Sequence, residues 1–331
     1  MAATRLDVVG IGNAIVDVIT DAEDGFLRAE GMTPGSMMLI DADRAEALHA
    51  GMGATLEASG GSAANTMAGI ASLGGSAGYI GKLRDDALGA LFAEDIRSLG
   101  VVFSTPPSAE GPATARCLIY VSPDGQRTMN TFLGACADLR PEDIDSGLIK
   151  AAQITYLEGY LFDPPHAKEA FRKAAKIARD AGRKIALSLS DSFCVGRYRE
   201  EFLDFIGEHV DILFANEDEI VALYETDLNN ALGRSVAYCD VVAVTRGAKG
   251  SVICAGETRI LSPAAPGARV VDTTGAGDLY AAGFLYGLCR ERDLAECGRI
   301  GGLAAAEVIG HYGARPSVVL ADLLQQGRLP D

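Results

Sequence analysis

The sequence predicts an α/β fold: a three-layer sandwich with a mostly parallel central sheet and a small β-rich lid. Three observations carry that expectation. Short, unbroken apolar runs recur along the chain, as strands buried on both faces require. Segments of helical period separate several of these runs. Two stretches interrupt the alternation with strand and turn signals of their own.

Leu6–Ile11 is the first apolar run; it ends in Gly12-Asn13 and reads as a buried strand. Residues 36–41 and 55–59 bracket a predicted helix, Ala42–Gly51. Residues 114–121 and 126–132 flank Ser122-Pro-Asp-Gly125, a turn signal that predicts a β-hairpin. Apolar runs of the first kind return at 154–157, 185–189, 212–214 and 241–244. Between the first two, residues 165–181 put Ala167, Ala170, Phe171, Ala174, Ala175 and Ala178 on one helical face, with Lys and Arg opposite. Residues 217–224 and 232–238 read as two more helices. No repeat, low-complexity tract or long linker divides the chain. The expectation is one domain over 1–331, its lid formed by inserted segments at about 14–59 and 112–133.

The chain has 331 residues, enough for one large α/β domain, and 48% of them are hydrophobic. Its net charge of −16 argues against binding nucleic acid, which depends on neutralising phosphates with Lys and Arg. A local positive pocket for a phosphorylated small molecule stays compatible with that charge. The seven cysteines include no C-x-x-C pair, and the four histidines form no metal-binding pattern, so free thiols and no structural zinc are expected. The first residues lack the layout of a secretory signal, and no run approaches 18 apolar residues. The expected protein is cytoplasmic, without a membrane partner. Gly10-Ile-Gly12 opens like a dinucleotide fingerprint but has Ile15 at the third glycine, and Gly81-Lys82-Leu83 fails as a phosphate loop because Leu83 replaces Ser or Thr.

The most informative stretch is Asp272-Thr-Thr-Gly-Ala-Gly-Asp278, followed by a helical run of small residues. Its glycines allow a tight turn that points several N–H groups one way. At a helix start those donors form an anion site, aided by the helix dipole. Thr273 or Thr274 is placed to cap the helix. Asp278 then stands as a base beside a bound phosphoryl group. A Gly-rich turn with a capping Asp is the alternative use of the same pattern.

Four other segments offer polar groups at strand ends or helix starts. Gly60-Gly-Ser-Ala-Ala-Asn65 opens a helix with glycines and presents Ser62 and Asn65; it also suits a plain Ala-rich core helix. Gly12-Asn13-Ala-Ile-Val-Asp17 ends the first strand, where Asn13 and Asp17 could bond vicinal hydroxyls or serve only a turn. Asn216-Glu-Asp-Glu219 follows a strand and also fits a capped helix start. Thr245-Arg-Gly-Ala-Lys-Gly250 follows the next strand.

In this order these motifs resemble those of the PfkB, or ribokinase-like, carbohydrate and nucleoside kinases, over about residues 8–316. The resemblance implies the ribokinase-like three-layer sandwich and ATP-dependent phosphorylation of an alcohol. It casts Asp278 as the base, and Gly275, Ala276 and Gly277 as the amides that hold the developing charge. It places substrate at Asn13, Asp17, Gly60, Gly61, Ser62 and Asn65, and nucleotide at Thr245, Gly247 and Lys249. Asn216 and Glu219 would organise Mg²⁺ through water. Arg127 would reach from the lid towards the phosphates, while Met129 and Phe193 would wall a base. The G-N-x-x-x-D spacing of Asn13 and Asp17 is similar to that of adenosine kinases. The leading substrate is therefore the 5′-hydroxyl of a ribonucleoside, adenosine first. A sugar kinase acting on ribose or fructose, and a non-catalytic binder on the same scaffold, are the alternatives. Met37 and Met38 stand where some adenosine kinases carry a polar residue near the base. The resemblance further suggests a monovalent cation such as K⁺ near Asp272, Thr274 and residues 313–316, and a monomer or homodimer.

Overall fold

The computed structural model describes residues 6–123 and 126–327. Its larger sheet has nine strands. In spatial order they are Thr258–Ser262 (β14), Ser251–Ala255 (β13), Val241–Thr245 (β12), Ile212–Asn216 (β11), Lys184–Ser188 (β10), Ala152–Glu158 (β9), Leu6–Ile11 (β1), Ala77–Ile80 (β5) and Val102–Phe103 (β6). From β12 to β6 every neighbouring pair is parallel. The β12–β13–β14 edge is an antiparallel meander. Strands β5, β6, β13 and β14 lie outside the runs read from the sequence.

Side chains alternate across this sheet and bury two separate cores. Val8, Ile154, Ala186, Ile212 and Ala243 pack with Met67, Leu279, Phe284 and Ile300 on one face. Val9, Ile185, Leu187, Leu213 and Val242 pack with Phe171, Phe202, Phe205 and Leu223 on the other. That is the expected three-layer arrangement. The Pro165–Asp180 helix buries the alanine face and Phe171; burial of Phe171 contributes roughly 1.5–3 kcal/mol. The helix expected at 232–238 instead runs Leu228–Ser235, because the Asp227 carboxylate caps the N–H groups of Asn229 and Asn230 and starts it earlier.

The second sheet has five strands in the order Met37–Leu39 (β3), Arg127–Phe132 (β8), Ala115–Val121 (β7), Ile15–Asp21 (β2) and Leu56–Ser59 (β4). Strands β7 and β8 pair antiparallel, as the hairpin signal requires, and the turn tip, Asp124 and Gly125, lies outside the described residues. The Ala42–Gly51 helix forms with Asp41 as its cap. Register sorts the faces of this sheet. Val16, Val18, Leu118 and Tyr120 point into a core shared with Leu27 and Leu48. Asp17, Cys117, Ile119, Met129, Thr131 and Arg127 share the opposite face, with Met37 and Leu39 continuing it. Among the described residues, no helix is long and apolar enough to cross a membrane.

Candidate active site

Parallel strands deliver their carboxyl ends to one edge of the body, where open α/β sheets collect ligands. Gly12-Asn13 follows β1, Glu158 ends β9, Asn216 ends β11 and Thr245 ends β12. The Ala276–Cys289 helix starts beside them. Gly275 precedes it at φ 78°, and a Cβ there would stand 2.8 Å from the Ala314 backbone, so both conformation and space demand glycine. No side chain caps this helix. The expected threonine cap is absent because the Thr274 hydroxyl donates backwards to Asp272 Oδ1, at 2.6 Å. Ala276 N–H turns to the Thr273 carbonyl. The amides of Gly277 and Asp278 have no acceptor among the described residues. Two free donors at the positive end of a helix dipole suit an anion chemically.

The Asp278 carboxylate sits half-buried at that helix start. Ser62 Oγ donates to its Oδ1 at 2.6 Å and Asn65 Nδ2 to its Oδ2 at 3.1 Å. Both donors come from the Ser62–Ser72 helix, which packs so closely that Gly69 lies against Leu279 and Ala282. Burial pushes the Asp278 carboxyl up to about 6, and the Ser62 and Asn65 bonds draw it partly back. A carboxyl held there is ionised at neutral pH yet basic enough to take a proton.

Glu158 was not singled out from the sequence, and it organises this corner. Its Oε1 accepts Asn13 Nδ2 at 2.9 Å and Asn13 N at 3.3 Å; its Oε2 accepts Ala63 N at 2.8 Å. The Ser62–Ser72 helix begins at Gly61, φ 91°, with no cap of its own, so Glu158 supplies that cap from 95 residues away. A Cβ at Gly61 would stand 2.2 Å from the Asn13 carbonyl. Burial pushes Glu158 up to about 7, against the pull of the Ala63 and Asn13 bonds. Asn13 thus directs its backbone N–H and its side-chain amide to Glu158. The available signal was an isolated acid closing an apolar strand.

Asp17 stands on β2 beside Gly60, where a Cβ would lie 2.8 Å from its oxygens. Burial pushes Asp17 up to about 6, with the Arg127 and Arg315 charges opposing and Asp272 adding to the rise. Arg127 is turned to the anion-site loop: its Nη1 meets Asp272 Oδ2 at 2.5 Å and Thr274 Oγ1 at 3.2 Å. Asp272 also accepts from Thr274 N–H and hydroxyl and from Gly313 N–H. Burial raises the Asp272 carboxyl, but these bonds and the Arg127 charge outweigh it and hold it below the usual range. Met129 lies on the same sheet face as Asp17.

On the other side, Asn216 and Glu219 face each other. Asn216 Oδ1 accepts Glu219 N–H at 2.8 Å, while the Glu219 carboxylate accepts Asn216 N at 2.8 Å and Nδ2 at 2.6 Å. This is a complete capping box. Burial pushes Glu219 up to about 7, against the Asn216 bond, with the Asp191, Asp218 and Asp278 charges adding to it. Thr245 is half-buried at the end of β12, and Gly247 and Lys249 form an exposed turn after it. Phe193 is 79% exposed near the start of the Ser192–His209 helix, so it encloses nothing in this conformation. Among the described residues, no three His, Cys, Asp or Glu side chains group to hold a metal.

The family described as pfkB family carbohydrate kinase matches residues 32–320. An adenosine kinase from Sinorhizobium meliloti is 53% identical, with 98% of this chain and 99% of that one covered at a TM-score of 0.91. A probable sugar kinase from Rhizobium etli is 51% identical over 98% of both chains at a TM-score of 0.92. An uncharacterised sugar kinase from Archaeoglobus fulgidus is 30% identical across 75% of this chain and 96% of its own length.

Proposed function

The chain belongs to the pfkB family of carbohydrate kinases, and from that premise we propose that it transfers the γ-phosphoryl group of ATP to the 5′-hydroxyl of a ribonucleoside, adenosine first. One observation carries the reading: the unpartnered amides of Gly277 and Asp278 stand at a helix start beside a carboxylate fixed by Ser62 and Asn65. As the alcohol oxygen attacks the γ-phosphorus in line, Asp278 takes its proton. The new O–P bond forms while the bond to the ADP oxygen breaks. The amides and the helix dipole hold the charge that develops on the transferring group.

The second sheet acts as the lid of a single domain. One face of it pairs Asp17, an acceptor for ribose hydroxyls, with Met129 and Met37, which suit the flat apolar surface of a nucleobase better than a free sugar. Lid closure excludes water from the transfer. Residues 245–249 and Asn216 border the nucleotide, and Arg127 reaches the phosphates if it leaves Asp272.

Asn216 and Glu219 fit Mg²⁺ held through water. They offer hard oxygen donors, and the buried Glu219 carboxyl lies among the like charges of Asp191, Asp218 and Asp278, with which a cation interacts favourably. Bound Mg²⁺ would supply neutralisation of phosphate charge. While Arg127 is bound, Asp272 has no room for a monovalent cation, because its oxygens already accept four donors, from Thr274, Gly313 and Arg127.

The test is product formation from ATP with adenosine, other nucleosides and a panel of ribose, fructose and related sugars. Adenosine is expected to turn over with the highest kcat/KM. Turnover of a sugar with none of any nucleoside would replace this reading with the sugar-kinase alternative, which the names of several relatives favour.

A further inference from the structure

Asn65 sits in the first turn of the Ser62–Ser72 helix and donates to Asp278 from Nδ2. A carboxamide can rotate by half a turn at little intrinsic cost, which would set its oxygen against the carboxylate and cancel the bond. The restraint comes from 250 residues away. Arg315 Nε donates to Asn65 Oδ1 at 3.4 Å, and Arg315 Nη1 pairs with Asp95 in the Ala87–Ser98 helix. Reversing Asn65 would therefore create two repulsions at once, oxygen against carboxylate and amide protons against the guanidinium. The neighbouring residue, Ala314, is the one packed against Gly275. The segment that supplies Arg315 thus also borders the helix start that carries Asp278.

We propose that Arg315 is a positioning residue of the transfer centre: braced on Asp95, it holds the Asn65 carboxamide in the orientation that donates to Asp278. This inference rests on the reading of Asp278 as the base. Arg315 also faces Asp17, whose carboxyl its charge helps to hold down. Its Nη2 is buried without a partner among the described residues, so the guanidinium is committed to this corner without being saturated by it.

Asp278 is faced by Ser62 and Asn65 from one helix, Tyr156 and Glu158 from β9, Tyr160 after it, and Glu219 from the Glu217–Tyr224 helix. Substitution at 315 alters none of these groups. Arg315→Met removes a positive charge as well as a donor, whereas Arg315→Lys keeps the charge, so the change in the Asp278 titration with Lys reads the Asn65 donation, which lowers the Asp278 pKa in the native protein.

The experiment follows the Asp278 carboxyl by ¹³C NMR and the pH profile of kcat in the full chain, with Arg315→Met, Arg315→Lys and Asn65→Ala. Lys keeps the charge and lacks the Nε donor. Both Arg315 variants are expected to titrate Asp278 at higher pH, to move the acid limb of kcat the same way, and to lose about tenfold in turnover. In the Asn65→Ala background, Arg315→Lys should add no further shift. An unchanged Asp278 titration in both variants, or a shift that adds fully to that of Asn65→Ala, overturns the proposal. If Arg315→Met does not fold, Arg315→Lys and Asp95→Asn carry the same reading. Full turnover in Asp278→Asn would defeat the base assignment instead, and the NMR titration of the native chain would still decide the role of Arg315.

Discussion

Two helices start near the same edge of the sheet, and they begin in opposite ways. The Glu217–Tyr224 helix is closed by its own residues: Asn216 and Glu219 satisfy each other's amides in a capping box. The Ala276–Cys289 helix opens on a left-handed glycine and, among the described residues, has no side-chain cap and leaves the amides of Gly277 and Asp278 without an acceptor. The first start spends its donors on its own residues, while the second leaves donors that could meet an anion. The Ser62–Ser72 helix lies between these extremes. It too opens on glycine, but a distant carboxylate, Glu158, caps it. The contrast marks where binding is to be sought: at the start whose donors the protein itself leaves unused.

The largest expected effect breaks the open start. Asp278→Asn should keep the fold and lower kcat by roughly 10²-fold or more, the usual scale for a general base, as measured in steady-state assays with adenosine and ATP. Turnover within a few-fold of the native enzyme would remove Asp278 from the chemistry.

The next effect is pH dependence. Asp278 must be ionised to accept a proton, and burial places it at about 6. Activity should hold above pH 7 and fall about tenfold per unit well below 6. Asp17, also pushed up to about 6 by burial, should weaken substrate binding over the same range, so kcat/KM falls more steeply than kcat. A flat profile down to pH 4.5 would contradict both.

The third sharpens the contrast between the two starts. Gly275→Ala forces a side chain into a left-handed turn against Ala314 and should cost about 1–3 kcal/mol together with most of the activity. Asn216→Ala removes a cap and should cost about 1 kcal/mol in denaturant unfolding. If Gly275→Ala kept native activity at its lower stability, the reading of its helix start as the anion site would fail.

The smallest effect is one of stability. An acid whose folded pKa is raised favours the protonated fold, so its ionisation weakens the native state as pH rises from 3.8 towards 6, fully so above about 6. Asn cannot ionise. The melting temperature of Asp278→Asn relative to the native protein should therefore be more favourable at pH 8 than at pH 4, by calorimetry. A difference independent of pH would mean that the carboxylate carries no burial penalty.

Much of this was legible in the sequence because it is local. The residues 272–278 motif carries its anion site and its acid within seven positions, and the β7–β8 hairpin carries its own turn. A local pattern with two competing uses leaves its partner undecided. Thr274 had the chemistry of a cap, but Asp272, two residues away, takes its hydroxyl. Asn13 had the chemistry of a substrate ligand, but its amide turns to Glu158, 145 residues on. Arg127 was expected to face the phosphates, and here it is held by Asp272.

Apolar period and backbone freedom are properties of neighbouring residues, so the layers, the strand direction and the glycine-opened helix start can be read along the chain. Which acids become basic and which donors remain free is settled by folding. Those properties depend on burial and on partners such as Ser62 with Asp278 and Arg315 with Asn65, separated by 216 and 250 residues, which no local spacing encodes.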